Sequence, residues 1–162
     1  MVFVVAVAAA TACTRYVFPE PAAPRRPTAV SASAGRTWDA AIEEIADGNA
    51  PITQLQRESG YLNTDVVRAT NSDADTLAEC WHVKHMGADT LIGPTHAFYN
   101  IVVRGDSSHA TVKVNARFTN VEYESRGPLV VGCVSRGLWE RRTEAAIKAR
   151  AEGTNSIGAA AP

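Results

Sequence analysis

The stretch ATVKVNARFTNVEY, residues 110–123, alternates between apolar and polar side chains and constrains the fold more than any other part of the chain. Successive side chains of a β-strand point to opposite faces, so this pattern predicts a long antiparallel strand with one buried and one solvated face. The buried face would carry Val112, Val114, Ala116 and Phe118, and the solvated face Thr111, Lys113, Asn115 and Arg117. Because the buried face must be covered, a layered domain is expected.

Further strands are predicted on either side of this one. The runs AFYNIVVR, residues 97–104, and Leu129 to Val134 are rich in apolar and β-branched residues. Two more runs, PITQLQRE (51–58) and YLNTDVVR (61–68), flank the turn pair Ser59-Gly60 and predict a hairpin.

Two helices are available to cover the sheet. The first has apolar residues at helical spacing between an N-cap at Thr37 and a stop at Gly48. The second spans about Leu138 to Glu152, and its broad apolar face, crossed by Arg142, would carry Leu138, Trp139, Ala145, Ala146 and Ala149. The polar segment 71–79 is expected to be a loop, with a short helical turn as the alternative. These elements predict an α+β fold: a single two-layer domain in which an antiparallel sheet of about four or five strands is packed by an N-terminal and a C-terminal helix.

The N-terminal residues have the pattern of an export signal. The apolar run Val2 to Ala10 has the length of a signal-peptide core, about 7–15 residues, and Ala10-Thr11-Ala12 provides small residues for cleavage, so residues 1–12 are predicted to be a signal peptide. Nothing before Arg15 is charged, so we expect the true start to lie upstream. The alternative is a buried N-terminal strand of a cytosolic protein. No run reaches the roughly 18–20 apolar residues of a membrane-spanning helix.

The quartet Ala10-Thr11-Ala12-Cys13 resembles the lipobox of bacterial lipoproteins, although Ala10 stands where leucine is usual. The resemblance implies that Cys13 carries a diacylglyceryl group and, after cleavage, a further acyl chain. Several acyl chains together would anchor the protein stably in a membrane. Thr14 follows the cysteine, and by resemblance this favours the outer membrane, facing the periplasm.

The chain is divided accordingly. Residues 13–36 contain Pro19, Pro21, Pro24 and Pro27 among small and polar residues and predict an extended tether behind the lipidated cysteine. Residues 37–152 are the predicted α+β domain, and residues 153–162 are a weakly patterned, flexible tail.

The segment TWDAAIEEIADGNAPITQLQRESGYLNTD, residues 37–65, is similar in organisation to BamC-type envelope lipoprotein domains. The matching positions are Trp38, Ile52, Ser59, Gly60 and Tyr61. The later segment CVSRGLWERR also resembles a stretch before the final helix of such lipoproteins. The resemblance implies a binding or assembly module rather than an enzyme.

Three cysteines in an exported chain suggest one disulfide-bonded pair and one cysteine with a different role. In an oxidising compartment Cys80 and Cys133 would form the disulfide and leave Cys13 for lipidation. The alternative is two buried thiols that do not meet.

A metal site is conceivable around CWHVKH, where Cys80, His82, His85 and the later His96 are soft or borderline ligands. On a strand, His82 and His85 would point to opposite faces, whereas on a helix their spacing would suit one metal. A disulfide-bonded Cys80 would not bind metal. The favoured interpretation is a histidine pair without a metal, and no cofactor is expected.

A catalytic set is conceivable from Ser107 or Ser135 with His109 and Asp106, but Ser107 lacks the strand-to-helix context of a hydrolase nucleophile. Ser135 is better explained as a cap of the last helix, so no enzyme is expected. The cluster of Arg136, Arg141 and Arg142 near the last helix would contact an acidic partner or lipid head groups, but a solvated helix face is the simpler interpretation.

The chain carries 16 Lys and Arg against 17 Asp and Glu, which gives no overall positive field for nucleic acid. The expected function is therefore a membrane-anchored envelope lipoprotein that binds another envelope component. The alternative is a secreted or periplasmic domain that binds a small ligand or a metal around Cys80 to His96.

Overall fold

The computed structural model describes residues 15–17, 19–20, 22–68, 74–80, 82–85, 88–91, 94–124 and 127–153. The predicted signal peptide, Cys13 and most of the predicted tail lie outside these residues. The helices within them are α1 (Ala34–Asp47), α2 (Ala74–Leu77) and α3 (Leu138–Glu152). The strands are β1 (Arg15–Val17), β2 (Thr28–Val30), β3 (Ile52–Gln56), β4 (Tyr61–Thr64), β5 (Val67–Arg68), β6 (Ala78–Glu79), β7 (His82–His85), β8 (Ala88–Leu91), β9 (His96–Gly105), β10 (Ala110–Glu124) and β11 (Gly127–Ser135).

The large sheet contains eight antiparallel strands, not the four or five that were predicted. Its main order is β3-β4-β9-β10-β11-β6, with β2 beside β10 and β5 beside β9. The additional strands β2, β5 and β6 have only two or three residues each, which is too short for an alternating pattern to be visible in the sequence. A separate three-stranded sheet has the order β1-β7-β8. The α+β class is correct, and the predicted loop at 71–79 contains α2 and β6 in its described part.

The core lies between one face of the large sheet and helices α1 and α3. Val112, Val114 and Phe118 are fully buried there, as the alternation of the long strand predicts. Trp38 from α1 and Ile147 from α3 belong to the same hydrophobic cluster. The two helices therefore cover one face only, and we call the opposite side of the large sheet the outer face.

Helix α1 begins one turn earlier than predicted. Ser33 is its N-cap, and the side-chain oxygen of Ser33 accepts a hydrogen bond from the backbone N–H of Arg36 at 3.3 Å. The predicted cap, Thr37, is buried inside the helix and donates its hydroxyl to the Ser33 carbonyl at 3.0 Å. The helix ends at Gly48 as expected.

The folded part starts before the predicted boundary between residues 36 and 37. Strand β2 pairs with β10, with Val30 opposite Ala110 and Thr28 opposite Val112. Strand β1 also lies in the predicted tether and pairs with β7. Residues 25–33, called the N-terminal arm below, therefore belong to the domain.

The buried face of α3 differs from the predicted apolar face. The buried residues are Glu140, Thr143, Glu144, Ile147 and Ala151, whereas Ala145 and Arg142 are exposed. These residues do follow helical spacing, but three of the five are polar, so a pattern of apolar residues does not reveal them. Burial of their polar groups depends on specific partners.

Candidate functional site

The structure brings together the two cysteines that the sequence pairs. The Sγ atoms of Cys80 and Cys133 are 1.98 Å apart, and the bond closes a separation of 53 residues. The register of β6 and β11, with Glu79 opposite Val134, places the cysteines side by side at the edge of the large sheet. The disulfide thus fastens the short strand β6 to β11, and Cys80 is not available as a thiolate ligand.

The candidate metal ligands are not assembled into a site in the part of the chain whose side chains are described. His82 and His85 form strand β7, which is the extended alternative, and only their backbone is described. His96 begins β9, where its Nδ1 lies 2.9 Å from the Thr95 hydroxyl. Within the described side chains, no group of three or more His, Cys, Asp or Glu is placed to hold a metal ion.

The conceivable catalytic set lies in the exposed turn between β9 and β10, but its arrangement is that of a capped turn. Oδ1 of Asp106 accepts bonds from the backbone N–H groups of Ser108 and His109 and from the Ser108 hydroxyl. These hydrogen bonds, those from the backbone first, lower the pKa of Asp106 to about 2. Ser108, not Ser107, lies between the aspartate and His109, whereas a triad needs the histidine in the middle.

A buried carboxylate joins the N-terminal arm to α3 and β10. Glu144 is 2% exposed, and its Oε2 accepts bonds from Arg25 Nη2 and from the Thr28 hydroxyl, both at 2.7 Å. Its Oε1 accepts the backbone N–H of Val114 at 2.9 Å, and Arg25 donates a second bond to the Val114 carbonyl at 3.2 Å. Both backbone groups of Val114 are thus satisfied by side chains.

A second buried carboxylate lies in the first turn of α3. Oε1 of Glu140 accepts a bond from the Ser135 hydroxyl at 2.6 Å, and that hydroxyl also accepts the Gly137 backbone N–H at 3.0 Å. Ser135 therefore supports the start of the helix, although the N-cap residue is Gly137. Burial, and secondarily the charge of Glu140, raise the pKa of Tyr99 to about 12.

The aromatic rings of Tyr99 and Trp139 stack beside this carboxylate, with centroids 3.6 Å apart and planes 13° apart. The stack joins α3 to β9 across the core. Together with Glu140 it forms a packed contact between helix and sheet.

A shallow cleft opens where the start of α1 meets two hairpin turns. It has a volume of about 250 Å³, and its lining includes Gly35, Trp38, Arg57, Glu58 and Arg104. Arg57 is paired with Asp39 at 3.0 Å, and Arg104 donates to the Ser59 carbonyl, so both cations already have partners. Typical small-molecule sites have about 300–1,000 Å³, so this cleft is too small for most ligands of that kind.

The predicted arginine cluster is dispersed. Arg136 pairs with Glu79 at 3.6 Å and donates its backbone N–H to the Leu77 carbonyl at 2.9 Å, which holds β6 in place. Arg141 and Arg142 are exposed on α3. The cluster therefore does not form one compact cationic site.

Sequence reasoning missed Arg25, Thr28 and Glu144. Arg25 and Thr28 stand in a proline-rich stretch that is typical of a tether, and Glu144 is an ordinary residue for an exposed helix face. The available signal is Ile147 with Ala151 four residues later, which marks the buried face of α3 and places Glu144 on it.

The chain matches no known protein family model, and no curated protein matches it. In the described part of the chain, no helix is long and apolar enough to cross a membrane.

Proposed function

We propose that this chain is an exported lipoprotein, anchored through a lipid on Cys13, and that its α+β domain is a non-catalytic binding or assembly module of the cell envelope. The observation that carries the proposal is the Cys80–Cys133 disulfide. Disulfides persist in oxidising compartments, and this one accounts for two of the three cysteines. The third, Cys13, directly follows the small residues of a lipobox-like sequence.

The non-catalytic part of the proposal is supported by the geometry of three polar groups that could have been reactive. Asp106 is engaged by its own turn, Ser135 supports a helix start, and Glu144 is neutralised by Arg25. Each of these groups has a structural task. The outer membrane, facing the periplasm, is the proposed location.

The lipid anchor is tested by the mass of the N-terminal peptide of the protein extracted with detergent from its native host. We expect a diacylglyceryl peptide beginning at residue 13, and we expect Cys13→Ala to lose the lipid and leave the membrane fraction. Thr14→Ser, which changes the next residue but keeps the sulfur, is the matched control and should be lipidated like the wild type. A native peptide beginning at Met1 would refute the proposal.

The alternative function, a secreted domain for a small ligand or a metal, predicts that Cys13→Ala leaves the location unchanged. The cleft beside Trp38 would be its small-ligand site, but the volume of about 250 Å³ and the paired arginines favour it less. Zinc content by elemental analysis tests the metal version.

A further inference from the structure

The outer face of the large sheet carries a row of carboxamide side chains across four adjacent strands. The register places Gln54 opposite Asn63, Asn63 opposite Asn100, and Asn100 opposite Asn115. Because neighbouring strands are about 4.8 Å apart, the row extends over about 14 Å. Asn115 Nδ2 donates to Asn100 Oδ1 at 3.1 Å, while Gln54 and Asn115 at the two ends are exposed. We call these four residues the amide row.

Cations surround the amide row. The outer face carries Arg68, Arg104, Lys113 and Arg117. The three arginines are exposed, and Lys113 is half-buried. Along β10, the positions from 111 to 117 span about 20 Å, so the positive charge is spread over the length of the face.

Carboxylates are missing from this part of the outer face. None occurs there at the described positions of β3, β4, β5 and β9, or of β10 from 111 to 121. The acids nearest in sequence, Glu58, Asp65 and Asp106, lie in the connections at the strand ends. Glu79 lies at the far edge on β6, where it is paired with Arg136. The chain has a net charge of −1, yet this surface is cationic.

Half-buried aromatic rings lie directly beside the amide row. Tyr61 is opposite Val102 in the neighbouring row, and Phe98 is opposite Arg117 on the other side. The surface thus combines carboxamides, cations and half-buried aromatic residues on a sheet face that no described helix covers.

The geometry points to an extended acidic polysaccharide as the ligand of the outer face. Carboxamides both donate and accept hydrogen bonds, as sugar hydroxyl groups do, so a row of them is complementary to a chain of hydroxyl-bearing rings. Aromatic rings supply apolar surface for the C–H faces of the sugars. Arg and Lys bind carboxylate or phosphate groups on the same polymer through charge-assisted hydrogen bonds. The envelope location of the ligand rests on the proposed function, whereas the binding chemistry does not.

The shape of the surface supports a polymer over two other partners. Small-molecule sites are concave, and the described cleft lies beside the start of α1 at the end of the domain and shares only Arg104 with the cations of this face. An anionic lipid surface is attracted by basic side chains alone and gives no role to the amide row. A polymer that lies along the sheet uses both sets of groups.

The test is affinity electrophoresis, which measures how strongly a polymer in the gel retards the protein. The full chain carries Cys13→Ala, so that lipidation does not contribute. The probes are polygalacturonate, which bears carboxylates, a phosphomannan, which bears phosphodiesters, and fully methyl-esterified polygalacturonate as the neutral counterpart. We expect retardation by at least one of the two acidic polymers and at least a tenfold weaker effect of the neutral one.

Two double variants separate the contributions of charge and amide. K113Q/R117Q is expected to weaken binding at least tenfold, and Q54A/N115A severalfold. The matched control R26Q/R142Q removes the same charge from exposed positions outside the face and should change binding less than twofold. Circular dichroism confirms that each variant is folded.

The inference is overturned if neither acidic polymer binds, if R26Q/R142Q weakens binding as much as K113Q/R117Q, or if Q54A/N115A binds like the parent chain. It is also overturned if vesicles of 30% phosphatidylglycerol in phosphatidylcholine, or an oligothymidylate, bind more tightly than both polymers. None of these results affects the lipidation test, which reads the mass at Cys13.

Discussion

At the scale of single residues, the ion pair between Glu144 and Arg25 joins the N-terminal arm and α3 to the long strand β10. Strand β2 pairs with β10 only up to Val112, and β11 pairs with β10 only from Phe118. Between them Val114 has no strand beside it on that edge, and Glu144 and Arg25 bind its N–H and C=O instead. A pair of side chains thus takes the place of a strand in the middle of the sheet.

We predict that Arg25→Ala destabilises the protein by about 3 kcal/mol, because it leaves the buried Glu144 carboxylate without its counter-ion. The side chain of Arg25 is 24% exposed, so water replaces part of the lost interaction. The measurement is urea unfolding followed by circular dichroism. Arg26→Ala, at the exposed neighbour, should stay within about 0.5 kcal/mol of the wild type. Equal effects of the two substitutions would contradict the role given to Arg25.

The raised pKa of Tyr99 makes stability depend on alkaline pH. The folded protein has a pKa of about 12 at this residue, against 10.0 for an ordinary tyrosine, chiefly because of burial and then because of Glu140. A group with a raised folded pKa contributes stability below its unfolded pKa and loses it as the pH rises to the folded value. Tyr99 should therefore lower the free energy of unfolding by about 2–3 kcal/mol between pH 10 and pH 12.

The check compares urea unfolding of the wild type and Tyr99→Phe at several pH values in that range. The phenylalanine variant lacks the phenol, so between pH 10 and pH 12 its free energy of unfolding should fall by about 2–3 kcal/mol less than that of the wild type. Parallel curves for the two proteins would show that Tyr99 does not titrate with a raised pKa.

At the scale of elements, one arginine of α3 adds ion pairs to the apolar packing between α1 and α3. Arg150 on α3 contacts Asp47 at 2.7 Å, Glu43 at 3.2 Å and Glu44 at 3.4 Å, all on α1. These hydrogen bonds, that of Asp47 first, raise the pKa of Arg150 above its usual value. The last turn of α1 contains no basic residue, so Arg150 also provides the positive charge that the C-terminal end of a helix favours.

We predict that Arg150→Ala costs about 1 kcal/mol at low ionic strength, because three acidic side chains and the end of α1 lose one shared cation. Salt screens exposed charges, so the difference from the wild type should shrink at about 1 M NaCl. Urea unfolding at both salt concentrations measures it. Arg142→Ala, an exposed arginine on the same helix, is the control and should have little effect. A loss that does not depend on salt would indicate packing instead of charge.

The elements that the sequence predicts well are those with a long pattern. Strands β9 and β10 and the hairpin at Gly60 follow alternation and turn residues, because each depends on its own residues and on one apolar face. The structure also joins Cys80 and Cys133, the two cysteines that remain when Cys13 is assigned to lipidation. The register of distant strands, by contrast, has no local signature, so the amide row from Gln54 to Asn115 is visible only in the folded sheet.

The prediction fails where polar groups are buried. The apolar face predicted for α3 includes Trp139, which does pack against the core, but it omits the buried Glu140 and Glu144, because apolar character normally marks the buried side. Their partners, Ser135 and Arg25, lie in segments with no pattern of their own. The burial of a charge depends on a partner far along the chain, and a local pattern does not contain that information.

At the scale of the whole molecule, the N-terminal arm is held against α3 by side-chain contacts along the length of the helix. Besides the Arg25 contact, Lys148 donates to the Ala29 carbonyl and Glu152 accepts the Ser31 N–H, both at 2.7 Å. The arm therefore runs along α3 as part of the fold. Residues 25–33 of the predicted tether therefore belong to the domain and not to a free linker.

The arm also makes the choice of domain boundary testable. A chain that begins at residue 37 lacks Arg25, Thr28, strand β2, the Ser33 cap and the first residues of α1. It leaves Glu144 buried without its cation and exposes the edge of β10 between Ala110 and Val112. We predict that this chain is not stably folded at 25 °C, because these losses together approach the 5–15 kcal/mol by which a typical domain is stable.

A chain that begins at residue 22 keeps the whole arm and should unfold cooperatively in urea, with a free energy lower than that of the full chain only by the contribution of β1. Comparing the two truncated chains by circular dichroism and urea unfolding decides the point. A cooperative transition of similar midpoint in the chain that begins at 37 would mean that the arm is only a tether. In that case Arg25→Ala in the full chain should also leave the free energy of unfolding unchanged. The two measurements check each other because both depend on the same buried carboxylate, that of Glu144.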